Sequence, residues 1–377
     1  MKVPNHIQFL CAALLSGSLL HCGGGFPGAT TDNLAVLLLT SSSSATAATA
    51  SPVNSVQTGL VDLSSGANFS NVTLTSVDMT KTFVVCSFRA AQSLPQFMPH
   101  CILNSPTNLL VRYLGACCNN VQVVYYVVEF ASGASVQRGE QNGIAGLTQN
   151  IALSTVDTTK SFAIIQAQST DNVNNIDEQL TFTADINGPT NLLLTRNEAG
   201  ATPNVAWQVV QLDGATVQSG STTISGVTSA SPAITTVDVS KSFLILSNRG
   251  AAASNGNDTQ MVVRGRLSTT SIALNRGDAT NSVHVHYYVV TLDGSSSVQH
   301  GTETTPMTST AVLTGIPGSS FDTTRSFPAT SSSIIAPTAD REQGDFTNVF
   351  SGGQLTMTRI NTAVNASVDW QIVELAQ

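Results

Sequence analysis

The chain has 377 residues, of which 10% are charged and 6% aromatic, and 15 Lys and Arg stand against 23 Asp and Glu for a formal net charge of −8. That length leaves room for two to four ordinary domains. No run of Lys or Arg occurs, which weighs against nucleic-acid binding through clustered cations. Low charge with abundant Thr, Val, Ser, Asn and Gln is the composition of β-rich extracellular proteins.

Residues 1–22 read as an export signal: Lys2 supplies the positive start, Ile7 to Leu20 an apolar core, and Leu19-Leu20-His21-Cys22 is followed by Gly23-Gly24-Gly25. This last stretch resembles the lipobox of bacterial lipoproteins, although His21 stands where that pattern has a small residue. The resemblance implies a lipid on Cys22, a membrane as partner through that anchor, and a place in the bacterial cell envelope, on the outer membrane or surface. A plain secretory peptide and a short buried helix are the alternatives. Leu34 to Leu39 falls far below the ~20 residues of a membrane-spanning helix. The Ser/Thr/Ala-rich stretch from Ser41 to Ser51 buries almost nothing, so residues 23–55 are predicted to be a disordered tether.

From residue 56 onward the chain repeats itself. Val77-Asp78-Met79-Thr80-Lys81-Thr82-Phe83 returns as Val156-Asp157-Thr158-Thr159-Lys160-Ser161-Phe162, as Val237-Asp238-Val239-Ser240-Lys241-Ser242-Phe243 and as Phe321-Asp322-Thr323-Thr324-Arg325-Ser326-Phe327. The aspartates lie 79, 81 and 84 residues apart, a spacing of small domains rather than of solenoid turns. Each phrase is followed by an apolar run ending in Arg112, Arg196, Arg276 or Arg359. An aromatic strand comes next, containing Tyr125-Tyr126, Trp207-Gln208, Tyr287-Tyr288 or Trp370-Gln371.

The second repeat is the most regular. Period-two alternation and β-branched residues predict strands at 136–139, 147–154, 161–168, 180–186, 191–196 and 205–212, with no convincing helical period anywhere in 56–377. Asp213-Gly214 and Asp293-Gly294 predict tight turns between repeats. The next repeat then opens on Val-Gln-x-Gly, as at Val136-Gln137-Arg138-Gly139, Val217-Gln218-Ser219-Gly220 and Val298-Gln299-His300-Gly301, with Val56-Gln57-Thr58-Gly59 first in the series. The predicted fold is all-β: four tandem antiparallel β-sandwich repeats at 56–135, 136–216, 217–297 and 298–377. A closed, propeller-like ring of four units, joined through the Val56 and Trp370 strands, is the alternative. Pro328 removes a ladder donor, which predicts a shortened or edge strand in the fourth repeat.

Asp78, Asp157, Asp238 and Asp322 read as turn-forming residues whose carboxylates accept nearby backbone N–H groups, since one carboxylate per repeat falls short of a calcium site. The four phenylalanines, with Tyr125, Trp207, Tyr287 and Trp370, read as core, and exposed rings at the latter four positions would instead form a sugar-stacking platform. The four arginines are predicted to lie over an apolar face with their charge in water. Cys86 and Cys101 form a candidate disulfide, with Cys117 or Cys118 as competing partners for Cys101. His284 and His286, two apart on a strand, read as a solvated face or a metal pair. No metal site and no cofactor is assigned. Neither Gly-x-Ser-x-Gly nor recurring paired carboxylates occur, so an enzyme is not expected.

The layout resembles tandem β-domain surface lipoproteins. The function it implies is structural or adhesive, a binding scaffold whose partner is a glycan or another surface protein. A carbohydrate-binding module array and a glycan hydrolase are the alternatives.

Overall fold

The computed structural model describes residues 51–63, 67–91, 98–115, 120–169, 177–250, 258–303, 310–313, 321–335, 341–351 and 353–377. Cys22, the export signal, most of the tether, and Cys117 and Cys118 lie outside them. The described residues belong to one compact unit, Thr46–Gln377, and are nearly all strand.

The first repeat contains β1 (Val53–Asp62), β2 (Phe69–Thr73), β3 (Thr82–Arg89), β4 (His100–Ser105), β5 (Asn108–Arg112) and β6 (Gln122–Phe130). The second contains β7 (Ala134–Gln141), β8 (Thr148–Ala152), β9 (Ser161–Gln168), β10 (Thr183–Gly188), β11 (Asn191–Thr195) and β12 (Asn204–Leu212). The third contains β13 (Ala215–Ser225), β14 (Ser229–Ala230), β15 (Ser242–Gly250), β16 (Arg264–Leu267), β17 (Ile272–Asn275) and β18 (Ser282–Leu292). The fourth contains β19 (Ser297–Glu303), β20 (Thr310–Leu313), β21 (Ser326–Ile334), β22 (Thr347–Ser351), β23 (Gln354–Thr358) and β24 (Ala366–Glu374).

All four share one plan: an inner sheet in the order first-sixth-third strand, and an outer sheet in the order second-fifth-fourth, all antiparallel. The turn at Asp213-Gly214 is as tight as its sequence predicts, but β12 and β13 do not pair across it. Both edges of β12 are already taken by β7 and β9, so the chain turns a corner into a new sheet. For the same reason the β1 and β24 strands are not unpaired halves: β1 pairs with β6 and β24 with β19, each within its own repeat.

The arrangement among repeats is the closed one. Phe83, Phe162, Phe243 and Phe327, each 1% exposed, meet edge to face in a cycle, with ring centroids 6.3, 5.7, 5.8 and 5.3 Å apart. The phenylalanines are therefore core, but core of the junction rather than of a single repeat. Val128, Val210, Val290 and Val373, one from each sixth strand, join the same cluster. Each buried Phe contributes about 1.5–3 kcal/mol of transfer energy, and each edge-to-face pair adds about 0.5–1.5 kcal/mol. The sixth strands consequently lie between two apolar layers, their own outer sheet and this junction, and β6 and β24 are buried along nearly their whole length.

The Asp phrase works as a turn in all four repeats. Asp78 Oδ1 accepts the backbone N–H of Thr80 at 2.9 Å and its hydroxyl at 2.7 Å, and Asp157, Asp238 and Asp322 do the same with Thr159, Ser240 and Thr324. Those hydroxyl and amide bonds hold all four carboxyls below the usual range. The hydroxyls of Thr82, Ser161, Ser242 and Ser326 donate back to the aspartate carbonyls at 2.6–2.7 Å, which launches the third strand toward the axis.

Three expectations need correction. Arg196, Arg276 and Arg359 are only 1, 3 and 2% exposed. Their guanidinium groups are not in water but donate to loop carbonyls, Arg196 to Ile144, Ala145, Gly146, Gln179 and Ala201. A planar group with five donors satisfies several loop carbonyls that no strand can reach. Second, of the two outcomes expected at Pro328 the strand is not shortened, since β21 runs nine residues, but it does lie at a sheet edge. Third strands are sheet edges in every repeat, so the missing N–H breaks no ladder. Third, β10 is preceded by a one-turn helix, Asp177–Leu180, where the alternation predicts a strand from 180.

Candidate functional site

Third strands touch at their phenylalanines and then diverge, and the space between them is a cavity of about 400 Å³. Its walls come from equivalent positions of all four repeats, Val85 to Phe88, Ile164 to Ala167, Leu244 to Asn248 and Pro328 to Ser332, with Phe327 in the floor. It therefore lies on the axis of the ring. Met98, Leu180, Met261 and Arg341, from the segments that lead into the fourth strands, add to the wall.

The fourth strand of each repeat reaches across to the inner sheet of the next. The backbone N–H groups of Cys101, Ala184, Gly265 and Asn348 donate to Gln166, Ser247, Ser331 and Ser87, at 2.8, 3.0, 2.9 and 2.9 Å. These four acceptors occupy the same position, four residues after the Phe, and the last of them closes the ring between the fourth and first repeats. Among the described residues the ionisable side chains in the wall are Tyr126, Arg341 and Asp345. Burial pushes the Tyr126 hydroxyl up to about 12. Asp345 lies on the short 3₁₀ turn Arg341–Gly344 and its flank. Desolvation, with a smaller opposing effect from Arg341, pushes its carboxyl up to about 7. Arg341 Nε is 4.0 Å from it.

A smaller cavity of about 190 Å³ lies between the first and second repeats, against Met79, Cys101, Leu103, Glu140, Gln166 and Trp207. Beside it His100, fully buried, has Nδ1 3.2 Å from Glu140 Oε1 and 2.9 Å from Gln168 Nε2. Burial pushes the imidazole below its ordinary value, and the bonds from His100 and Arg112 hold Glu140 down. The arrangement fastens two repeats together.

The sugar-platform positions do not present rings to solvent. Tyr125, Tyr287 and Trp370 are 8, 7 and 8% exposed, and Trp207 is half-buried in the wall of the smaller cavity. Each of the four lies opposite the glycine of its repeat's Val-Gln-x-Gly phrase: Gly59 with Tyr125, Gly139 with Trp207, Gly220 with Tyr287, Gly301 with Trp370. The ring covers the bare glycine backbone, and a Cβ at any of them would meet ring atoms. The glutamine of the same phrase, which sequence reasoning left without a role, pairs by both amide atoms with the backbone of Thr75, Ser154 or Thr235. Its recurrence in every repeat was the available signal.

Cys86 and Cys101 are joined in a disulfide spanning 15 residues, which ties β3 to β4 and is worth about 3 kcal/mol by loop-closure entropy. His286 is 5% exposed and stands 3.1 Å from Asp185, whereas His284 bonds Thr223. The two histidines do not converge, and no cluster of three or more metal-ligating side chains occurs among the described residues.

No protein-family model matches the chain, and no curated protein matches it significantly.

Proposed function

We propose that the protein is an exported scaffold, held to the bacterial envelope by lipid on Cys22, that presents one end of a rigid four-repeat ring to other surface molecules in a structural or adhesive role. The observation that carries this reading is the polarity of the ring. Ser51 Oγ donates to Gly133 O at 2.6 Å, Asp213 N–H donates to the same carbonyl at 2.8 Å, and Asp293 N–H donates to Gly214 O at 3.0 Å. Val53 N–H donates to Ala376 O at 2.8 Å. Both ends of the described chain and all the turns between repeats thus gather where the third strands begin, and the axial cavity lies toward their other end. An anchor attached through residues before Ser51 pulls on the turn end and leaves the cavity end facing outward. The Cys86–Cys101 disulfide supports export, since such bonds persist in oxidising compartments.

The test is metabolic labelling of expressing bacteria with radioactive palmitate. Label on the wild type and its loss in Cys22→Ala is the expected result. An unlabelled wild type overturns the anchor, and labelled protein that a membrane-impermeant reagent cannot reach in intact cells overturns the display.

A further inference from the structure

Asp345 is the carboxylate of the axial wall, and most other polar groups there are bonded to their neighbours. Ser87, Gln166, Ser247 and Ser331 accept backbone N–H groups. Asn348 donates to Thr330, and Gln371 spans the backbone of Leu244. No hydrogen bond from a described residue reaches the Asp345 carboxylate, whose side chain is only 16% exposed. Arg341, at 4.0 Å and 30% exposed, lies nearer solvent and has Nη1 3.7 Å from the sulfur of Met98. A carboxylate in a partly apolar pocket without donors is costly to keep charged. Arg341, its charged neighbour among the described residues, stands at the limit of ion-pair distance, which leaves the carboxylate able to take a donor from the cavity.

We propose that the axial cavity binds a compact organic ammonium ion with an apolar body, Asp345 supplying the counter-charge and the third-strand side chains of Ile164 and Ile245, with Met261, enclosing the body. The volume of about 400 Å³ lies within the range of small-molecule sites, roughly 300–1,000 Å³, and the wall sets apolar side chains such as Ile164, Ile245 and Met261 beside polar ones. Methionines suit it, because an unbranched thioether adapts to the shape of what it covers. An ammonium group restores to the carboxylate the charge-assisted hydrogen bonds that folding removed. The site needs neither the lipid nor display at the surface, so its failure leaves the scaffold reading standing, and failure of the scaffold leaves the site standing.

Calorimetry on the full chain with cyclohexylammonium, cyclohexanol and cyclohexanecarboxylate tests it. The cation is expected to bind at least tenfold more tightly than either isostere at pH 8. At pH 5.5 its affinity should fall about thirtyfold, the loss of ionised carboxylate for a group titrating at about 7. The charged groups that face Asp345 are Arg341 and Glu342 on the same turn; among the described residues no histidine lines the cavity. Asp345→Asn should abolish both the preference and the pH dependence. Equal binding of cation and alcohol by the wild type, absence of binding by all three at millimolar concentration, or a cation preference that survives in Asp345→Asn overturns the proposal. The wild-type comparison decides the matter even if the variant does not fold.

Discussion

Replacing Tyr126 by Phe is the most direct probe of ring closure. Tyr126 is 1% exposed; its hydroxyl donates to Asn348 O at 3.1 Å and accepts from Phe350 N–H at 3.1 Å. Both backbone groups belong to the free edge of β22, and the ring of the tyrosine keeps its edge contact with Phe350, so Tyr126→Phe removes two hydrogen bonds without opening a cavity. A buried N–H and a buried C=O left without partners cost about 1–3 kcal/mol each, and partial relaxation of the edge brings the sum to roughly 2–4 kcal/mol. Tyr288 makes the equivalent pair of bonds to Ala184 O and Ile186 N–H at 3.1 and 2.9 Å, so Tyr288→Phe should cost the same in urea unfolding. The two variants should part in native-state hydrogen exchange. The second and third repeats remain joined through Asp213-Gly214, whereas the first and fourth are held by non-covalent contacts, so only Tyr126→Phe should speed exchange across Thr347–Ser351 relative to the rest of the ring. A Tyr126→Phe protein within about 0.5 kcal/mol of wild type, or one with unchanged exchange in β22, refutes the reasoning.

Gly139→Ala places a Cβ 2.7 Å from Trp207 Cζ2, and the half-buried indole must leave its glycine; a loss of about 1–3 kcal/mol is expected in urea unfolding, with a red shift of Trp207 emission. Arg196→Met leaves the carbonyls of Ile144, Ala145, Gly146, Gln179 and Ala201 without their donor and should cost at least about 3 kcal/mol, measured the same way. Burial depresses His100, His284 and His300 below the ordinary imidazole value, so the unfolded chain binds the extra protons and stability is lost as pH falls below about 6.5 toward the folded values. Asp345 opposes this: its folded carboxyl, raised to about 7, takes up a proton the unfolded chain does not, which favours the fold as pH falls through that value. Asp345→Asn removes that opposing uptake, so the unfolding midpoint of the variant should fall more steeply than that of the wild type between pH 7 and pH 5.

The repeat, its strand content and the Asp turn were legible because each is a local matter. A carboxylate two residues before a hydroxyl carries its own partner with it, and β9 runs over Ser161–Gln168 as the alternation predicts. What escaped was decided between repeats. Phe83 and its counterparts read as core, yet no local pattern distinguishes a ring buried in its own sandwich from one buried on a common axis. Arg196 is a different case, settled within its own repeat: at the end of an apolar strand it has the pattern of a surface arginine, but the loops at 144–146, 179 and 201 fold around it and supply acceptors. The axial cavity was invisible because its wall takes a few residues from each repeat. Asp345 belongs to no repeated phrase.

The interfaces between repeats alternate, and that alternation was written in the sequence. At the junction of the first and second repeats Gln208 takes both the N–H and the C=O of Val84, while Arg138, pushed down to about 10 by burial, donates to the carbonyls of Met79 and Thr82. At the junction of the third and fourth, Gln371 takes the same groups of Leu244, and His300 Nε2 lies 2.9 Å from the carbonyls of Val239 and Ser242. At the other two junctions, second to third and fourth to first, a tyrosine replaces the glutamine and reaches the fourth strand instead. The ring thus has twofold symmetry laid over its fourfold plan, visible as Tyr-Tyr alternating with Trp-Gln in the sixth strands. This also explains Pro328. Its counterparts Val84 and Leu244 need an N–H because a glutamine faces them; Pro328 faces the repeat that carries Tyr126, where no acceptor waits. A residue that looks like damage when one repeat is read alone is neutral once its neighbour is known, because the edge of each third strand is matched to the repeat it faces.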